Sequence, residues 1–237
     1  MTGRPNYYYT WTTSRPAVAR VSTSRTELLH IGLAFLVLTV DLVIILGGGG
    51  LLLRSSSGGF FSLVSPIEIL AAATAVLTGF LCHELAHKVY AQRHGFWAEF
   101  RMSPSGLLFS FLTSLVGFIW AVPGATVVSG MSEYDRKNWG RTSLAGPVTN
   151  AVFGLGFYAA AAATYLGHSG IYPWLILLAW FNGWFATFNL FPIGPLDGAK
   201  VRRWNAGIWI ASLVAFGVFT GITTAVLYGY LTPLLGR

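Results

Sequence analysis

The run from Leu28 to Leu53 contains one charged side chain, Asp41, and it exceeds the roughly 20 apolar residues a helix needs to cross a bilayer. Comparable stretches recur along the 237-residue chain and decide the solvent in which it can fold. Only 10% of the residues are charged, against about 25% in a soluble globular protein, so there is too little polar surface to face water. The pattern predicts an all-α polytopic membrane protein with about five spanning helices and a re-entrant or short-strand segment at 97–129. Once the spans are assigned, no stretch remains for a separate soluble domain. The expected organisation is a cytoplasmic tail over 1–27 and a single transmembrane domain over 28–237.

The net charge of +7 has two readings, nucleic-acid binding or cytoplasmic loops under the positive-inside rule. In a chain this apolar the second applies, so the lipid bilayer is the expected partner and nucleic acid is not. The single cysteine, Cys82, excludes an internal disulfide and any all-cysteine metal site; its place in an apolar helix predicts buried packing. The apolar stretch behind Arg25 is too long for a signal-peptide core. Tyr7–Tyr9 and Trp11 suit the membrane interface or a loosely ordered tail.

A second helix has a clear start: Ser65 can cap it, Pro66 suits its first position and Glu68 completes a capping box. It is expected to run to Tyr90 or Gln92 and carries His83-Glu84-Leu85-Ala86-His87 near its far end. Between Phe96 and Gly130, two pieces (Trp97–Met102 and Ala125–Ser129) read as extended and flank an apolar stretch at 104–122. A polar loop is expected over 131–141, followed by helices over Thr142–Leu166 and Tyr172–Phe188. The broken segment NLFPIGPLDG (189–198) and a last span over Asn205–Tyr230 complete the chain.

His83 and His87 are four residues apart, so on a helix they project from one face. Two imidazole nitrogens so placed can reach one zinc ion at about 2.0–2.1 Å. Glu84, beside the first, can take a proton from a water at the metal. HELAH alone is a common chance match, but here it lies within an apolar helix, where unpartnered imidazoles and a carboxylate are costly. The structural alternative is two hydrogen-bonded core histidines beside a snorkelling glutamate.

Catalytic zinc takes a third protein ligand and keeps an open position. Asp41, Glu68 and Asp197 are the carboxylates that can reach membrane depth. Glu68 is explained by capping. Asp41 stands on another helix with no motif around it, where a hydrogen bond to a neighbouring helix accounts for it equally well. Asp197 lies in a Pro- and Gly-broken segment, and irregular backbone at membrane depth lines a buried or water-filled site. Asp197 is therefore the candidate, with an ordinary Asp-Gly turn as the alternative.

HELAH (83–87), AGPVTN (145–150) and NLFPIGPLDG (189–198), in that order, resemble the site-2 protease family of intramembrane metalloproteases. The resemblance covers residues 66–200, which would be the catalytic core. It implies zinc held by His83, His87 and Asp197, with Glu84 as catalytic base. It also implies a catalytic role for Asn150 near substrate or the developing oxyanion. The substrate implied is a transmembrane protein or peptide. The family commonly has a short strand pair after the zinc helix, where this chain has the extra apolar stretch 104–122. Rival readings are a prenyl-protein processing type of metalloprotease, which would use a downstream Glu, a non-catalytic membrane metal-binding or transport protein, and a pseudoenzyme.

Charge placement predicts how 104–122 runs. If it enters and leaves by one side, Arg4, Arg15, Arg20, Arg25, Arg93, Arg101, Arg136, Lys137, Arg141, Lys200, Arg202 and Arg203 share the amino-terminal side, with only Arg54 and Arg237 opposite. If it crosses, the division evens out and Asp197 lands on the far side from His83. The expectation is a re-entrant segment in a multi-pass protein of the cell membrane, its active site toward the cytoplasmic face.

Overall fold

A computed structural model describes residues 20–47, 64–119, 122–132, 134–165 and 170–235. Helix α1 (Arg25–Leu46) starts where Ser24 Oγ accepts the Glu27 N–H, three residues before the expected Leu28. The end of that expected span, the loop around Arg54, the tail through Ala19 and Arg237 lie outside the described residues. The next long helix runs from Pro66 to Arg93 in three parts: α2 (Pro66–Ala75), one π-helical turn (Val76–Leu81) and α3 (Cys82–Arg93). The capping box is present as expected: Glu68 Oε2 accepts from Ser65 N–H at 2.8 Å, and Glu68 N–H donates to Ser65 Oγ.

Strand β1 (Trp97–Met102), helix α4 (Pro104–Ser114) and strand β2 (Gly124–Ser129) follow. The strands pair antiparallel from Trp97↔Ser129 to Met102↔Gly124, so the chain between them returns to its starting level. At 11 residues, α4 is about 16 Å long, roughly half of the ~30 Å hydrocarbon thickness. The segment is re-entrant, and strand pair and apolar stretch are both present, one inserted in the other.

Helices α5 (Arg136–Tyr165), α6 (Tyr172–Asn189), α7 (Asp197–Trp204) and α8 (Ala206–Leu235) complete the fold. Among the described residues, α1, Pro66–Arg93, α5 and Ala206–Gly229 are long and apolar enough to cross a membrane. Helix α6, packed between α5 and α8, is the fifth member of the bundle. This is an all-α polytopic membrane fold.

Helix α5 begins six residues before the expected Thr142, inside the segment read as a polar loop. The cause is local: the Asp135 carboxylate accepts from both the backbone N–H and the side-chain Nδ2 of Asn138, which caps a polar first turn. The short α7 was not expected as a helix. Cys82 is half-buried and unpaired. Asp41 is buried and accepts from Ser110 Oγ at 2.7 Å and Ser114 Oγ at 3.4 Å, so it joins α1 to α4. Ala34, Leu38, Val76, Phe80, Leu81, Phe100 and Leu107 form a core where α1, the π-helical turn, β1 and α4 meet.

Candidate metal centre

Three long helices and the broken segment converge on one buried point. His83 and His87 rise from one face of α3, both buried, and Asp197 opens α7 after the NLFPIGPL segment. Asp197 Oδ2 lies 3.2 Å from His83 Nε2 and 3.1 Å from His87 Nε2. The sequence interval of 114 residues between His83 and Asp197 is thus closed.

The other imidazole nitrogens set the tautomers. His87 Nδ1 donates to the Thr142 carbonyl at 2.7 Å. His83 Nδ1 lies 2.5 Å from Asn150 Oδ1. The amide of Asn150 is oriented by its own donors: Nδ2 reaches the carbonyls of Thr78 and Gly79, in the π-helical turn, and Asn182 Oδ1. Oδ1 must therefore accept, and His83 Nδ1 donates. Both Nε2 atoms then turn lone pairs toward the Asp197 carboxylate. Asn182 in turn donates to Thr78 Oγ1 and the Leu178 carbonyl. A π-turn frees carbonyls from the regular ladder, and here Asn150 takes up two of them.

Two glycines allow the approach. A Cβ at Gly146 would lie 2.6 Å from His87 Nε2 and 2.7 Å from His83 Cε1, so the α5 backbone packs directly against both rings. A Cβ at Gly198 would lie 1.9 Å from the Leu190 carbonyl oxygen, so only glycine lets α7 start against the end of α6.

Glu84 is half-buried, and its Oε2 accepts the Thr126 N–H of β2 at 2.7 Å. Thr126 Oγ1 also donates to the Glu84 carbonyl at 2.7 Å. Ligand atoms of His83, Glu84 and His87 fall within 4.8 Å of one another, close enough to hold a metal. Asp197 is nearer to both imidazoles than that limit, and its carboxylate is not tied to a strand as that of Glu84 is, so Asp197 is the better third donor. Lys200 Nζ stands 3.8 Å from its other oxygen.

The donor set fits zinc. Two ligands about 2.05 Å from a tetrahedral ion stand about 3.3 Å apart, close to the 3.1 and 3.2 Å found between the imidazoles and Asp197. Two lone pairs and a carboxylate facing one another repel unless a cation lies between them. Asp41 and Glu68 sit in their own hydrogen bonds with α4 and Ser65. Sequence reasoning missed Thr126, Thr142 and Asn182. Asn182 carried a signal, an amide within an apolar helix; the contributions of Thr126 N–H and Thr142 C=O are main-chain groups and carry none.

Fold and site together define a polytopic membrane protein with a candidate metal centre of two imidazoles and a carboxylate beside a glutamate. Over 147 residues the chain is 35% identical to "Putative zinc metalloprotease MJ0611" of Methanocaldococcus jannaschii, a match covering 61% of this chain and 75% of that protein. Over 145 residues it is 31% identical to "Putative zinc metalloprotease Rip3" of Mycobacterium tuberculosis, covering 58% of this chain and 30% of that longer protein. No family model matches the chain, and no solved structure matches it. The chain belongs to the site-2 protease family of zinc metalloproteases, and its function is that of a metalloprotease.

Proposed function

We propose that this protein hydrolyses peptide bonds of transmembrane substrates at membrane depth, with one zinc ion held by His83, His87 and Asp197 and with Glu84 as general base. The observation that carries the reading is the meeting of two imidazole Nε2 atoms and one carboxylate oxygen at 3.1 and 3.2 Å, inside a bundle of apolar helices and one residue from a glutamate. Zinc, when bound, supplies Lewis acidity for a scissile carbonyl and for water. Glu84 accepts the proton of the attacking water and returns it to the leaving amine. Asp197 balances charge as an ionised carboxylate. Asn150 contributes through His83, holding its tautomer and ring angle, because both ends of its amide are engaged with protein groups.

The proposed setting is the cell membrane, with the amino terminus in the cytoplasm and the site toward the cytoplasmic face. Arg93 ends α3, Arg136 and Lys137 begin α5, and Lys200, Arg202 and Arg203 lie on the short α7 that opens with Asp197, which supports that orientation. The substrate helix must unwind locally to expose its carbonyl, and Gly or Pro near the cut lowers that cost. The test is cleavage of a single-span substrate in proteoliposomes, with product ends mapped by mass spectrometry. A zinc-dependent cut inside the hydrophobic segment is expected; cuts confined to the water-exposed flanks would overturn the intramembrane reading.

A further inference from the structure

Thr126 and Phe100 are direct partners across the hairpin. At this level neither backbone N–H is used by the sheet. Phe100 N–H points outward from β1 and donates to Glu27 Oε1 at 2.9 Å. Thr126 N–H points outward from β2 and donates to Glu84 Oε2 at 2.7 Å. Each edge of the hairpin is therefore taken by a carboxylate, one from α1 and one from α3.

The two carboxylates are joined behind the hairpin. Glu27 Oε2 accepts from Lys88 Nζ at 2.6 Å, and Lys88 stands one turn beyond Glu84 on α3. Lys88 also donates to Thr23 Oγ1 at 2.8 Å. The result is a closed circuit: Glu84, Thr126, Phe100, Glu27, Lys88 and back along one helical turn. The ion pair is fully enclosed, with Glu27 0% and Lys88 1% exposed. Desolvation makes such a pair a poor source of net stability, and fixing register is its best-attested use. This hairpin needs its register fixed from outside, because its strands are joined through α4 and not through a tight turn. A two-stranded sheet is also marginal by itself.

We propose that Glu27, Lys88 and Thr126 are positioning residues for Glu84: the buried ion pair fixes the β1–β2 hairpin, and the hairpin's outer edge aims the Glu84 carboxylate at the metal centre. The proposal rests on Glu84 being the base. It gives the strand pair a task in an otherwise helical protein and gives the first turn of α1 a part in catalysis. Glu84 Oε1 makes no hydrogen bond among the described residues, so one oxygen is held while the other stays free for the proton.

The experiment uses the full chain in lipid with a single-span substrate, and measures kcat, KM and zinc content on each sample. Thr126→Pro removes the N–H without breaking a ladder bond, since that N–H faces away from β1. It should lower kcat by about 10–100-fold, the usual effect of losing an outer-shell partner, with KM and zinc content unchanged. Thr126→Ser restores N–H and hydroxyl and should rescue kcat. Lys88→Met should lower kcat in the same way, and adding Glu27→Gln, which removes the stranded charge, should recover most of it. A Thr126→Pro enzyme with unchanged kcat, or one whose loss follows KM or zinc content, overturns the proposal. Hydrogen exchange covers the case in which Thr126→Pro does not fold: the Thr126 amide should exchange about tenfold faster in Glu84→Ala than in the parent chain, and equal rates overturn the proposal. Exchange needs no turnover. Normal activity in Glu84→Gln would remove the role of Glu84 as base, while unchanged exchange would remove only the positioning circuit.

Discussion

Asn150 Oδ1 lies 2.5 Å from His83 Nδ1, and both groups are buried. The contact ties α5 to the zinc-motif helix and leaves His83 one free lone pair, at Nε2. Replacing Asn150 with Leu removes the acceptor and strands the carbonyls of Thr78 and Gly79. Zinc affinity, measured by chelator competition, should fall by about 10–100-fold. Unchanged affinity would show that His83 needs no such support.

Gly146 gives a steric test on the same helix. Its missing Cβ leaves room for both imidazoles, whereas Gly156 has no atom within 4 Å of the Cβ position. By helix propensity alone, Gly→Ala gains about 0.8–1 kcal/mol at either site. Gly156→Ala should therefore match or exceed the parent in thermal stability and keep its zinc. Gly146→Ala should lose zinc, because a methyl at 2.6 Å from the His87 ring displaces it. Equal zinc content in the two variants would contradict the packing described here.

Asp41 is expected to be structural. Its two serine hydroxyl partners lie on α4, and hydrogen bonds between membrane helices contribute about 0.6 kcal/mol on average and at most ~1.7. Asp41→Asn should reduce stability by about 1 kcal/mol or less and leave zinc content and kcat within twofold. Loss of activity at full zinc occupancy would assign Asp41 a chemical role.

Much of this was legible in the chain. Ser65, Pro66 and Glu68 announce their helix because capping is local. His83, Glu84 and His87 stand out because polar groups are costly in an apolar helix. Trp97–Met102 reads as extended, and β1 has those bounds. What stayed hidden depends on tertiary partners. The π-helical turn at Val76–Leu81 has no local signature; its loosened carbonyls are satisfied by Asn150 on a helix far along the chain. The start of α5 at Arg136 was obscured by reading polar residues as loop, although Asp135 and Asn138 form a cap. The link from Thr126 to Glu84 runs through a backbone N–H, which every residue but proline has.

The hairpin fixes a topological expectation. Because β1 and β2 pair, Ser132 and Arg202 lie on one side of the membrane in the proposed orientation. With Cys82 replaced by serine, Ser132→Cys and Arg202→Cys should both react only with a reagent that reaches the cytoplasm. External labelling of Ser132→Cys would contradict the arrangement.

Asp197 is the proposed third ligand. Asp197→Ala should lose most of its zinc, as should His83→Ala and His87→Ala. Full occupancy in Asp197→Ala would move the third ligand elsewhere, with Glu84 the next donor by distance.

In the proposed mechanism Glu84 moves the proton while the two histidines and Asp197 hold the metal. Zinc content and turnover, measured on one purified sample of Glu84→Gln, test it most directly. The amide is nearly isosteric and still accepts the Thr126 N–H, but it cannot take a proton from water. About one zinc per chain and no detectable cleavage of a transmembrane substrate are expected. Near-parental turnover in that sample would contradict the mechanism.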